Sequence, residues 1–300
     1  MRTIARAALL VACIALLGLL PVESRSETGS PPGRNGRIVF QSDRDGDAEI
    51  VTISASGRGL RQLTRNRTDD IMPAWSPDGR EIAFARSAGG NLEIFVMRAN
   101  GTGVRRLTRS RGQDLAPAWD PGGQQIAFGS NRTGRYSIYV MGADGSDQRR
   151  VTSGKDSDPA WSPDGSAIAF TRELAGNQEI FVLDGDERVT RLTASPGPDL
   201  SPTFSPDGTR IAYESRRSGS FDLWTRRADG SRPRRLTSGR AQDFGATWSP
   251  DGRLIGFASS VRAGAAPDLY TVTSSGRGKR RLTRHRAADF APDWQPLGRP

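Results

Sequence analysis

Six aspartates recur along the chain at nearly even intervals: Asp70, Asp114, Asp156, Asp199, Asp243 and Asp289. Each stands five residues ahead of an aromatic residue: Trp75, Trp119, Trp161, Phe204, Trp248 or Trp294. Carboxylates gathered around one mouth of a channel would concentrate negative potential and attract a cation or a basic peptide. An aspartate in a loop just ahead of a strand also accepts backbone N–H bonds and fixes its own loop, a structural role that repetition favours. Three residues before four of these aspartates stand Arg67, Arg111, Arg240 and Arg286, which are placed to pair with the carboxylates from the rim. These ten residues form the candidate binding surface at the channel mouth, and no catalytic or metal-ligating set is assigned.

Other chemistry is restricted by what the chain lacks. Its single Cys13 and single His285 do not supply a zinc site, a haem, an iron–sulfur cluster or a disulfide framework, so no cofactor is expected. Asp43 to Glu49 looks like a calcium loop, but an EF-hand places glycine sixth and glutamate twelfth, and this segment reads better as a hairpin. Paired arginines at 105–106, 149–150, 234–235 and 280–281 suit either adhesion to an anionic polymer or protection of an exposed sheet edge. Glu49, Glu93, Glu179, Asp222 and Asp268 read as solvated or turn-binding groups without chemistry. The balance of 43 Lys+Arg against 33 Asp+Glu is basic, yet no aromatic-interleaved basic stripe points to nucleic acid.

The elements that position these residues follow from a repeat of 42 to 46 residues. Trp75-Ser-Pro-Asp-Gly79 returns at 161–165 and 248–252, with phenylalanine leading at 204–208 and altered copies at 119–123 and 294–298. A second segment follows in each unit, such as Ile82-Ala83-Phe84. A third is Ile94-Phe95-Val96, and a fourth is the short Leu107-Thr108. Short β-branched and aromatic runs bounded by Gly, Pro, Asn and Asp read as strands. Pro-Asp-Gly closes the first hairpin, and Asn-Gly or Asp-Gly closes the third. The fold class is therefore all-β: a six-bladed propeller of four-stranded antiparallel blades. The orphan segments Ile38-Val39-Phe40, Ile50-Val51 and Leu63-Thr64 lack a first strand, and Asp289 to Gln295 supplies one, so the N- and C-terminal strands pair to close the ring. The repeated aromatics are expected between blades as core rather than as a ligand-stacking belt.

Arg2 and Arg6 followed by the apolar run Ala7 to Leu20 read as an export signal over 1–24, with an uncleaved anchor as the alternative. A linker over 25–35 and the propeller over 36–298 complete the domain reading. Localisation is then periplasmic, cell-wall-associated or secreted.

The succession Pro-x-Trp-Ser-Pro-Asp-Gly, Ile-Ala-Phe, Glu-Ile-Phe-Val and Arg-Leu-Thr resembles the TolB-type propeller repeat, a relative of the WD repeat, over residues 36–298. The resemblance implies an exported envelope scaffold that binds a protein partner across its face or channel mouth, as a monomer. The alternative is a carbohydrate- or anion-binding propeller, including one with hydrolase or lyase activity. Related repeats accompany prolyl-oligopeptidase-like hydrolases, but no Gly-x-Ser-x-Gly elbow occurs here. Oligogalacturonate-type lyases use several histidines, where this chain has one. No enzymatic activity is expected.

Overall fold

The second strand of each blade reads as an almost unbroken apolar run because neighbouring sheets cover both of its faces. Ile82, Ala83, Phe84 and Ala85 are all fully buried. The computed structural model describes residues 33–261 and 265–297. The export signal expected over 1–24 lies outside them, as does the expected linker except for residues 33–35. The described residues form six four-stranded antiparallel sheets. Blades 1 to 5 are continuous in sequence, over residues 70–106, 114–150, 155–191, 199–235 and 242–281. Each outermost strand is only two or three residues long, which leaves little free edge.

The sixth blade joins the two ends of the chain. Asp289–Leu297 forms its inner strand, followed outward by Arg34–Ser42, Glu49–Ser54 and Arg61–Gln62. Arg34 lies opposite Leu297, Ile38 opposite Trp294 and Ser42 opposite Asp289. The seams on either side are held as well. Asp293 accepts the Trp75 amide of blade 1 at 2.8 Å and the Thr247 hydroxyl of blade 5 at 3.1 Å. Gln295 donates to the Gly79 carbonyl at 2.9 Å, and the Gly33 amide donates to the Pro250 carbonyl at 3.0 Å.

The repeated aromatics pack largely between sheets, as expected. Trp75 lies with Val39 and Ile50 of the closing blade and with Ile82 and Phe84 of its own. Trp248 bridges Ala212 and Leu223 of blade 4 to Ile255 and Phe257 of blade 5. Trp75, Trp248 and Trp294 are buried, whereas Trp119, Trp161 and Phe204 are half-buried.

Every inner strand carries an irregularity at the same place, and the closing ladder has a second one between Asn35 and Ile38. In blade 1, Ile71 pairs with Ala85 and Ala74 with Ala83, so Met72 and Pro73 together face Phe84. Proline has no N–H to give the ladder, and a bulge takes up the unpaired position. The first bulge residue lies at positive φ in all six blades: Met72, Ala116, Asp158, Ser201, Gly245 and Ala291, between 47° and 60°. Five of these are not glycine, so a ring of strained backbone surrounds the axis. The bulges turn these residues into the wall of the central channel, a cavity of about 400 Å³.

Candidate functional site

The six repeated aspartates open the inner strands at the end where the outermost strand of one blade passes into the next. None faces open solvent: all are at most 1 % exposed. A carboxylate so deep is stable only when paired and hydrogen-bonded. Each has one cationic partner, at 2.6 to 3.0 Å: Arg86 for Asp70, Arg132 for Asp114, Arg172 for Asp156, Arg217 for Asp199, Lys279 for Asp243 and Arg44 for Asp289. Each cation also lies over aromatic rings of its own blade, 4.5 to 5.8 Å from the centroids. Cation–π attraction adds to the hold on each partner.

Three positions in the chain supply this one arrangement. Arg86 and Arg172 are the strand partners directly opposite Asp70 and Asp156. In blades 2 and 4 and the closing blade a serine takes that place, and the arginine comes from two residues further on, in the hairpin. In blade 5 Ser259 faces Asp243, and Lys279 reaches in from just ahead of the outermost strand, bonding both at 3.0 Å. Burial pushes the Asp114 and Asp199 carboxyls up, opposed by the Ser130 and Ser215 hydroxyls and by Arg132 and Arg217.

Arg67, Arg111, Arg240 and Arg286 do not pair with the ring from the rim. All four are exposed on the inter-blade loops, and none forms an ion pair among the described residues. The strand-borne and hairpin-borne cations occupy the carboxylates instead, because they approach from within the sheet and are held there by the rings.

A second set of acids, expected in solvent, is buried beside the first. Glu49, Glu93 and Glu179 are fully buried, Asp222 is 1 % exposed and Asp268 is 6 % exposed. Glu93 accepts the Thr108 hydroxyl at 2.6 Å, the Arg106 guanidinium at 2.8 Å and the Ser110 amide at 3.0 Å. Glu179 repeats the set with Thr193, Arg191 and Ser195. Arg235 and Arg281 serve Asp222 and Asp268. This accounts for the repeated Leu-Thr: the threonine hydroxyl accepts the amide of the third strand and donates to the acid. Burial raises the Glu49 carboxyl to about 7, against hydrogen bonds from Thr64 and Asn66.

The paired arginines have a structural use. The second of each pair at 105–106, 234–235 and 280–281 holds a buried acid. The first spans to the next blade: Arg105 donates to the Ala143 carbonyl, Arg234 to Ser275 and Arg280 to Ser56, at 2.7 to 3.1 Å. The Asp43 to Glu49 segment is a hairpin whose acids serve neighbouring loops. Asp43 accepts the Ala288 amide at 2.6 Å, and Asp45 accepts from Gln62.

The channel wall sets Asp158, Ser201, Thr247 and Asp293 among the apolar Met72, Ala116 and Ala291. Glu214 lies behind Ser201. Glu214 accepts the bulge amide of Gly245 at 3.0 Å and the Ser201 hydroxyl at 3.3 Å. Burial raises its carboxyl to about 7, and the Asp158 charge adds to the effect. Burial likewise pushes Asp158 up, and it raises Asp293 at the closing seam to about 6. These groups were missed in the sequence. Glu214 directly follows the second-strand aromatic, where the other units carry Gln41, Ala85, Gly129, Thr171 and Ala258.

What remains solvent-facing at this end is strongly uneven in charge. The loops leading into blades 1 and 2 expose Arg65 and Arg67, then Arg109 and Arg111. The loop into the closing blade exposes Arg284 and Arg286, and that into blade 5 exposes Arg240. The loop into blade 3 offers only Lys155, bound to Glu173 at 2.8 Å. The loop into blade 4, Ala194-Ser195-Pro196-Gly197-Pro198, carries no charge. His285 uses its Nδ1 to accept the Ala287 amide of its own loop at 3.0 Å.

Comparison with known proteins adds a family. The model described as the TolB beta propeller domain matches residues 69–158 and 152–262. A TolB homolog from Chlorobium luteolum is 43 % identical over 84 residues, which is 28 % of this chain and 17 % of that protein. A Tol-Pal system protein TolB from Desulfosudis oleivorans is 39 % identical over 57 residues, 19 % of this chain and 13 % of its own length. The matched stretches are thus under a fifth of either relative. The crystal structure of TolB from Acinetobacter baumannii superposes with a TM-score of 0.76 at 24 % identity, covering 87 % of this chain and 67 % of that one. That likeness is one of fold.

Proposed function

Because the chain belongs to the TolB β-propeller domain family, we propose that it is an exported, non-catalytic scaffold of the cell envelope that holds a protein partner on the face carrying the inter-blade loops. The observation that carries this reading is the uneven arc of exposed arginine on that face, against a repeated framework beneath it. A structural device recurs in every blade, whereas a contact surface for one partner is specific to some of them. The aspartate ring belongs to the framework and sets the loops at a fixed height. Arg67, Arg111, Arg240 and Arg286 are the contact groups of the mouth.

Export follows from the charged and apolar leader at residues 2–20. The Tol-Pal name borne by the Desulfosudis relative supports an envelope setting by analogy. The absence of a nucleophile elbow and the single histidine, occupied in its own loop, support a binding role.

The test places a photoreactive side chain at position 111 or 286 of a tagged full-length chain in its bacterial host. The expected result is a shortened chain outside the cytoplasm that gives one discrete protein adduct after irradiation. A chain retained in the cytoplasm, or the absence of an adduct at both positions, would overturn the proposal.

A further inference from the structure

One sector of the loop face combines charge with an apolar cavity. Phe221, Phe244 and Phe290 form a row across blades 4 and 5 and the closing blade, with centroids 6.1 and 6.3 Å apart. The places of Phe244 and Phe290 are held in other blades by Ile71, Leu115, Ser157 and Leu200. Beside this row opens a pocket of about 450 Å³ whose walls include Phe244, Phe290, Ala266, Pro267, Ala288 and Gln242. Val261, which follows another wall residue, Ser260, is 66 % exposed. The arginines adjoin this pocket in sequence. Arg240 precedes Gln242 by two residues, and Arg286 precedes Ala288 by two. Arg216 lies over Phe221, 5.9 Å from its centroid. Arg216, Arg240, Arg284 and Arg286 are all exposed, and none forms an ion pair among the described residues.

We infer that this sector binds an acidic segment of a partner polypeptide, which seats an apolar side chain in the pocket and sets carboxylates against Arg240, Arg284 and Arg286. The inference rests on the scaffold reading above and names the chemistry of its partner. An apolar cavity whose wall residues Gln242 and Ala288 each follow an exposed arginine by two positions is complementary to an aromatic or aliphatic anchor flanked by aspartate or glutamate. A polyanionic glycan or a phosphate surface would use the arginines but has no group for the pocket. A polypeptide uses both.

The test uses the mature chain and a fluorescent twelve-residue peptide of alternating glutamate and glycine with Phe-Leu at its centre. A second peptide carries Ala-Ala at the centre. Anisotropy is read at low and moderate salt. The first peptide is expected to bind about tenfold more tightly than the second and to weaken as salt rises. Arg284→Glu with Arg286→Glu, and separately Ala266→Leu, which fills the pocket from an exposed position, should each weaken it about tenfold. Both variants should melt at the temperature of the parent. Equal binding of the two peptides, or indifference to Ala266→Leu, would overturn the inference in favour of simple attraction to polyanions. No binding of either peptide would overturn it too. A dimer in sedimentation that these variants dissociate would assign the pocket to a second copy of the chain instead. If the variants lose the peptide while the photo-adduct at position 111 persists, this sector is not the contact and the scaffold reading stands.

Discussion

The two ends of the blades obey different rules. Where the inner strand turns into the second, the same residues recur in blades 1, 3, 4 and 5 and make the same bonds. Ser76 donates to Asp78, Ser162 to Asp164 and Ser249 to Asp251, each at 2.6 Å, and the same serine oxygens accept amides five residues on at 2.9 Å. The Ser162 hydroxyl and the Ser166 amide hold the Asp164 carboxyl below its usual range. These turns also interlock. A Cβ on Gly79, which lies at positive φ, would come within 2.5 Å of the Pro296 carbonyl in the closing blade. At the opposite end an arrangement recurs around a shared aspartate, but the positions that supply its cation do not. An acid, a cation and aromatic rings meet in each blade, with the cation drawn from three places in the chain. Outside that arrangement the exposed loops fall into kinds: Leu-Thr-Arg-x-Arg leads into blades 1 and 2 and the closing blade, whereas the loop into blade 4 carries no charge. Identity of residues therefore marks close contact between repeats, identity of geometry marks a buried electrostatic requirement, and a pattern confined to some of the blades marks a surface left free to serve a partner.

The comparison is broken most severely by removing what both ends share. Deleting residues 289–300 takes away the inner strand of the closing blade, with Trp294 and the Asp293 seam. Cooperative melting, followed by circular dichroism, should disappear. A deletion variant that melts like the parent would mean that ring closure contributes nothing. Next in size is Asp156→Ala, which leaves Arg172 over its rings without a counter-charge. Removing one partner of a buried pair costs about 3 to 5 kcal/mol, read from chemical denaturation. At the other end Ser162→Ala removes a hydrogen bond to the exposed Asp164 carboxylate and one from a backbone amide, and should cost about 1.5 to 3 kcal/mol. If the turn variant proves the more damaging, the ranking of the two ends is inverted.

A smaller effect is visible in pH. Burial raises Glu214 to about 7 and Asp293 to about 6 in the folded chain, above the ordinary carboxylate range of the unfolded one. Between about pH 4.5 and 7 the native state therefore holds more protons than the unfolded state, so these groups favour folding at the acid end of that window. Their contribution is lost as pH rises through it. Glu214→Gln should reduce this downward slope in melting temperature, and a slope unchanged by the variant would remove Glu214 as its source. Smallest of all, Arg284→Ala with Arg286→Ala should shift stability by no more than about 0.5 kcal/mol, because exposed loop charges contribute little to the fold.

Much of this architecture was legible in the sequence because it is written in repeated residues. Trp-Ser-Pro-Asp-Gly, Ile-Ala-Phe and Leu-Thr locate the strands, and the unmatched fragments at the two ends specify the closing blade. The aspartates were legible as a set, but their environment was not. Asp70 finds its cation 16 residues on, Asp114 18 residues on and Asp243 36 residues on, so no single spacing reveals the device. The arginines three residues before the aspartates drew attention because their spacing was constant, yet they lie outside the sheet. Glu93 and its counterparts read as solvated since nothing local declares a buried acid. Their partners, Thr108 and Arg106, arrive from a strand more than a dozen residues away. The pocket beside Phe290 was not legible at all, because it exists only once the last strand lies next to blade 5.

The pairing of Arg34 with Leu297 has a mechanical consequence. Both ends of the ring leave from neighbouring antiparallel strands at the side of the interlocked turns, opposite the arginine loops. Tension applied between them meets the closing ladder one rung at a time, as a zipper does, rather than in shear along its whole length. A pull on its own two ends thus opens the wheel rung by rung, and cargo tethered to either would hang clear of the surface that faces the other way.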